Sequence, residues 1–171
     1  MMKTVGLIGG MSWESTATYY RLINQGIRNR CGGLHSAKML LYSVDFAEVE
    51  ELQSTGRWHE AGQLLAEAAV RLEKGGADLL LICTNTMHKV ADQVVAAVTL
   101  PLLHIAEATG ERIFEDGIRA VGLLGTRFTM EEKFYRSVLE DRFGLRVVVP
   151  PAEARRLVDK VIFDELCRGV I

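Results

Sequence analysis

The sequence predicts an α/β protein built as two similar parallel-sheet domains with flanking helices, the second incomplete in this chain. Three observations carry that expectation. Short apolar runs end in glycine or polar caps and lead into segments of helical periodicity, the alternation of βα units. One run, Leu79-Leu80-Leu81-Ile82, is continuous rather than alternating, as in a strand buried on both faces of a parallel sheet. The pattern Val5-Gly6-Leu7-Ile8-Gly9-Gly10 returns as Val121-Gly122-Leu123-Leu124-Gly125-Thr126. Strand-then-glycine is common in α/β proteins, so the echo by itself leaves duplication open. The expected division is residues 1–117 for a first domain and 118–171 for the start of a second.

In chain order, Thr4 to Ile8 reads as a strand that breaks at Gly9-Gly10. Ser12 is the expected N-cap of a helix to Arg30, with Glu14 in its first turn and Tyr20, Ile23 and Ile27 at helical spacing. Lys38 to Val44 reads as a second strand. Asp45-Phe46-Ala47-Glu48 has capping-box spacing before a short helix, followed by a loop around Gln53 to Gly56. Ala61, Leu64, Leu65, Ala68 and Leu72 stripe a helix over 60–74, stopped by Gly75-Gly76 before the Leu79 strand. His88 to Val98 reads as a helix, and Pro101 to Ile105 as a short strand entering another helix that stops near Gly117. After the second glycine turn, Thr129-Met130-Glu131-Glu132 reads as a capping box opening a helix to Phe143. Leu145 to Val149 is the next strand, and beyond Pro150-Pro151 the residues Leu157, Val158, Val161, Ile162 and Leu166 stripe a last helix.

Composition narrows the class of function. The chain is 49% hydrophobic and 25% charged with a formal net charge of -2, which gives no electrostatic reason to expect nucleic acid or an anionic membrane. A small polar metabolite is the expected partner. The three cysteines are widely spaced, forming neither a disulfide framework nor a C-x-x-C pair, so a reducing cytoplasm is expected. The start Met1-Met2-Lys3 leads directly into a strand without a signal-peptide pattern, and no apolar run reaches membrane-spanning length. Gly6-Leu7-Ile8-Gly9-Gly10 departs from G-x-G-x-x-G, which leaves a dinucleotide site weakly supported.

Cys83 is the principal candidate for chemistry. It follows the Leu79 strand directly, with Thr84-Asn85-Thr86 able to cap a helix after it. Open α/β sheets keep their ligand sites at the carboxyl ends of strands. A helix N-terminus there would favour the thiolate. Read from position alone, Cys83 is equally a small apolar residue closing a strand.

Three stretches taken together resemble the aspartate/glutamate racemase family, and more narrowly its bacterial broad-specificity amino-acid racemases. They are Gly9-Gly10-Met11-Ser12-Trp13-Glu14-Ser15-Thr16, Cys83-Thr84-Asn85-Thr86-Met87-His88-Lys89 and Leu123-Leu124-Gly125-Thr126. The resemblance implies a homodimeric racemase or epimerase that needs no cofactor, with two similar α/β domains and a cleft between them. One cysteine from each domain faces the substrate α-carbon, a thiolate removing the α-proton and the opposite thiol returning one. Carried over by motif, Cys83 is one catalytic thiol, Thr84 and Asn85 bind the α-carboxylate, Met11 and Thr126 line the cleft, and Gln53 contacts the substrate side chain. An amide at position 53, instead of a guanidinium, fits neutral substrates.

The sequence also departs from that pattern. In the family, the second cysteine lies in a Gly-Cys-Thr-Glu-like motif downstream of residue 171, so a missing C-terminal segment is expected here. Cys31 falls in a glycine-rich connection and Cys167 in the last turn of a helix, and neither is expected to substitute. Two other readings remain: a non-catalytic amino-acid-binding protein, and a hydrolase pairing Cys83 with His88. His104 could face the same cleft or sit satisfied in the core, whereas His35 and His59 carry no signal. No residues have metal-ligand spacing.

Overall fold

The computed structural model describes residues 2–170. The chain divides into two compact units, Met1–Leu103 and His104–Ile171.

The first unit is a parallel sheet in the order β2-β1-β3, from β1 (Thr4–Gly9), β2 (Lys38–Ser43) and β3 (Leu79–Ile82). Helices α1 (Trp13–Cys31), α2 (Phe46–Ser54), α3 (Trp58–Lys74) and α4 (Ala91–Ala97) flank it. The expected fourth strand is reduced to one parallel bridge, Leu80 to Leu102, closed by Leu80 N–H to Pro101 C=O and Leu103 N–H to Leu80 C=O, both 2.9 Å. Pro101 has no N–H to extend the ladder.

The sheet is covered unequally. Leu80, Ile82 and Ile8 are fully or almost fully buried in one core with Leu65, Ala68 and Leu72 of α3 and Val94 of α4. Burying each large side chain is worth roughly 1.5–3 kcal/mol. On the other face Leu81 is only half-buried and Leu41 is 50% exposed. The continuous Leu79–Ile82 run therefore belongs to a strand whose second face is only partly covered, which corrects the expectation of burial on both sides. The helix on that face, α1, buries Thr16 alone, and Tyr20 of its expected stripe is 57% exposed. Gly26 sits within α1 with open space where a Cβ would go. Replacement by alanine is expected to stabilise the chain by about 0.5–1 kcal/mol, since it removes the backbone entropy cost of an interior helical glycine; chemical denaturation would read this as a higher midpoint at constant slope.

The second unit holds α5 (Ile105–Glu115), β4 (Ala120–Gly122), α6 (Arg127–Glu131), α7 (Lys133–Ser137), β5 (Arg146–Val148) and α8 (Ala152–Asp164), with β4 and β5 parallel. Its own core gathers Ala106, Tyr135, Leu139, Leu145 and Val147. Because Ala106 of α5 packs into this core, the units divide at Leu103/His104, whereas the sequence pattern suggests residue 117. The expected helix to Phe143 starts earlier and is broken. Thr126, not Thr129, is its N-cap, and Glu132, with φ -93 and ψ 161, separates α6 from α7 before a π-helical turn over Val138–Arg142. The stripe of α8 has no buried residue, and Leu157 is 63% exposed.

Candidate active site

Parallel strands with helical crossovers bring all their carboxyl ends to one edge of the sheet. In the first unit that edge carries the Gly10-Met11-Ser12 turn after β1, Val44-Asp45 after β2, and Cys83-Thr84-Asn85 after β3. Main-chain bonds tie them together: Cys83 N–H donates to Ile8 C=O at 2.9 Å, and Val44 N–H to Gly9 C=O at 3.0 Å.

The glycine turn is tightly built. Gly10 has φ +94, and a Cβ there would come 2.3 Å from the Val44 carbonyl oxygen. The Thr16 hydroxyl accepts from Gly10 N–H at 2.9 Å and donates to Ser12 C=O at 3.1 Å, stapling the first turn of α1 to the loop. Ser12 occupies the N-cap position with extended backbone, but its side chain makes no capping bond. In the same turn, Ser15 donates its hydroxyl to Cys83 C=O at 3.1 Å. The sequence reading names Ser15 and Thr16 only as members of the glycine-turn stretch and gives them no role of their own, although their spacing of three and four from Ser12 marks the face of the first helical turn.

Cys83 is fully buried. No α-helix starts at its side: a 3₁₀ turn over Thr86–Val90 intervenes, and α4 begins only at Ala91. Burial accordingly decides its acidity, pushing the thiol up to about 12. The expected lowering by a helix N-terminus is corrected, and the unliganded chain carries Cys83 as a thiol at neutral pH. Relative to an ordinary thiol at 9.0, the thiolate fraction at pH 8 falls by about three powers of ten, and the greater nucleophilicity of a more basic sulfur returns about one and a half of them. Cys83 should therefore react with a small disulfide reagent on the order of 30-fold more slowly than an ordinary thiol, and burial slows it further. Mass spectrometry of the labelled chain would find exposed Cys31 modified first; early labelling of Cys83 would contradict the assignment.

Thr84 is half-buried and Asn85 exposed, at the entry to the 3₁₀ turn. Met11 is 3% exposed and shares the core that holds Val49, Ile82 and Met87. Gln53 is the penultimate residue of α2, in the helix instead of the expected loop. It lies one turn beyond Val49 on the inward face; it is 4% exposed, and its Nε2 donates to the Met87 thioether at 3.0 Å. Cys83, Thr84, Asn85, Met11 and Gln53 thus belong to one unit. Thr126 belongs to the other, where its hydroxyl accepts from Thr129 N–H at 3.4 Å as the cap of α6. His88, expected at a helix start, is buried in the 3₁₀ turn. Its Nδ1 lies 2.8 Å from Thr84 C=O, and a carbonyl only accepts, so the proton sits on Nδ1. His104 caps α5, its Nδ1 accepting from Ala106 N–H at 3.2 Å. Cys31 ends α1 and is exposed; Cys167 lies in a 3₁₀ turn after α8. Among the described residues no group of three His, Cys, Asp or Glu could hold a metal ion, and no helix is long and apolar enough to cross a membrane.

Residues 8–170 match the profile of the Asp/Glu/Hydantoin racemase family. The chain belongs to this family. It is 28% identical over 141 residues to the broad specificity amino-acid racemase RacX of Bacillus subtilis (strain 168), a match covering 80% of this chain and 60% of that relative. Its fold is similar to a crystal structure from Yersinia pestis provisionally described as an Asp/Glu racemase, with TM-score 0.91, 56% identity, and coverage of 99% of this chain and 74% of that one. An aspartate racemase homologue from Pyrococcus horikoshii OT3 matches with TM-score 0.84 and 37% identity over the same shares. The α/β architecture with parallel sheets and flanking helices is that of the family.

Proposed function

We propose that this chain carries one of the two acid–base groups of a cofactor-independent amino-acid racemase, and that the group is Cys83. The observation that carries the reading is the position of Cys83 at the carboxyl end of β3, its main chain bonded to β1 and to the first turn of α1. Racemisation needs a proton removed from one face of the α-carbon and returned on the other. A buried thiol that is protonated at rest is suited to the returning step. To remove a proton it must first ionise, and the substrate supplies the means. The α-ammonium next to the reacting carbon brings a positive charge within a few ångströms of the sulfur, which favours the thiolate, the more so where water is excluded. Thr84 and Asn85 are the proposed partners of the α-carboxylate, Gln53 of the side chain and Met11 of the pocket wall in the first unit; for Thr126, in the second unit, the proposal keeps only the substrate contact that the resemblance implies. The second base is a cysteine that residues 1–171 do not supply; the resemblance extends the proposal to a homodimer, and the three widely spaced cysteines extend it to a reducing cytoplasm.

The test is incubation of the purified chain with single L-amino acids in deuterated water, followed by NMR and chiral chromatography. Deuterium at the α-carbon without inversion supports a single working base. Full racemisation would overturn the need for a further cysteine. Binding without any exchange would make the chain a non-catalytic amino-acid-binding protein.

A further inference from the structure

We propose that Met87 is a positioning residue for substrate side-chain recognition, its thioether fixing which edge of the Gln53 amide the substrate meets; the inference rests on the racemase reading above. The two side chains come from α2 and from the turn after Cys83, 34 positions apart, and both are buried, with Gln53 Nε2 3.0 Å from Met87 Sδ. A carboxamide is close to symmetric in shape and opposite in chemistry at its two edges: two N–H donors on one side, an acceptor oxygen on the other. A thioether has lone pairs and no proton to give. The nitrogen can therefore face it and the oxygen cannot, since a flip would set lone pair against lone pair at 3.0 Å. Pinned in this way, Gln53 keeps its Oε1 turned away from the sulfur as a constant acceptor. Without the thioether the amide could offer either edge, and a side chain with a donor would lose its advantage over an apolar one of the same shape.

The substitution Met87→Leu conserves volume and removes the acceptor. The experiment uses the whole chain with its glutamine side chains labelled with ¹⁵N, and follows the Gln53 amide while L-glutamine or its apolar analogue of the same branching, L-homoleucine, is added. In the parent chain the labelled Gln53 amide should be held rigidly, with a ¹⁵N order parameter near that of ordered main chain, and the ratio of dissociation constants should favour L-glutamine. In Met87→Leu that ratio should shift by at least about threefold, the effect of one hydrogen bond of ordinary strength. In a Gln53→Leu background the same substitution should leave the ratio unchanged. A purely structural Met87 would move both constants together and would do so in either background, which would overturn the proposal. An amide that reorients freely in the parent chain would overturn the positioning role alone. A pinned amide in a chain that binds neither amino acid would overturn the racemase reading, and the recognition role with it.

Discussion

Replacing Cys83 by serine is expected to lower α-hydrogen exchange by at least about 100-fold, the lower end of what a positioned acid–base group contributes, while amino-acid binding is largely kept. The hydroxyl occupies nearly the same space but is far less acidic than even the raised thiol, so it cannot yield the base form that proton removal needs. Solvent-deuterium incorporation gives the rate, and calorimetric titration gives the affinity. A melting curve must accompany them, because a buried hydroxyl without a partner costs about 1–3 kcal/mol. Cys83→Ala, which buries no polar group, separates that cost from the chemical loss. Exchange at the parent rate in either variant would remove Cys83 from the reaction.

The second large effect is expected at Gly10. Alanine there meets two separate penalties. A side chain at φ +94 costs roughly 1–3 kcal/mol. A Cβ 2.3 Å from the Val44 carbonyl oxygen and 2.8 Å from its nitrogen must also displace main chain that is bonded to Gly9, adding about 1–3 kcal/mol of overpacking. Together these amount to about 2–6 kcal/mol, or a fall in Tm of roughly 5–20 °C for a chain of this size. Gly33→Ala isolates the first penalty, for its φ is +56 but its Cβ would enter open space. Thermal unfolding of the two variants side by side should give a clearly greater loss for Gly10→Ala. Equal losses would mean that the close approach to Val44 relaxes without cost.

Local signals make most of the fold legible in the sequence. Leu79 to Ile82 is a strand because its length suits nothing longer, Asp45 caps α2 through its bond to Ala47 N–H at 3.1 Å, and Gly144, at φ +63, closes the segment before β5. Errors fall where a distant partner decides the outcome. Gly56 suggests that α2 ends before Gln53, yet the bond to Met87 and the inward face shared with Val49 hold that residue in the helix. Nothing near Leu81 in the chain tells that its face of the sheet is more thinly covered than that of Leu80. The candidate site is legible as a motif, with Cys83, Thr84 and Asn85 following a strand end. The protonation state of Cys83 is not, because it depends on burial of the side chain, and periodicity reports none of that. Glu132, which interrupts the helix expected to run to Phe143, carries no breaker signal at all.

The central place of β1 has a consequence in time. Among the described residues it is the strand bonded on both sides, to β2 across six residue pairs and to β3 across four, whereas β4 and β5 form a two-stranded sheet of three pairs. Amide protons of Leu7 and Ile8 can meet solvent only when the first unit opens as a whole, while those of the short pair are released by smaller, more frequent openings. The floor beneath Cys83 is therefore the slowest clock in its unit.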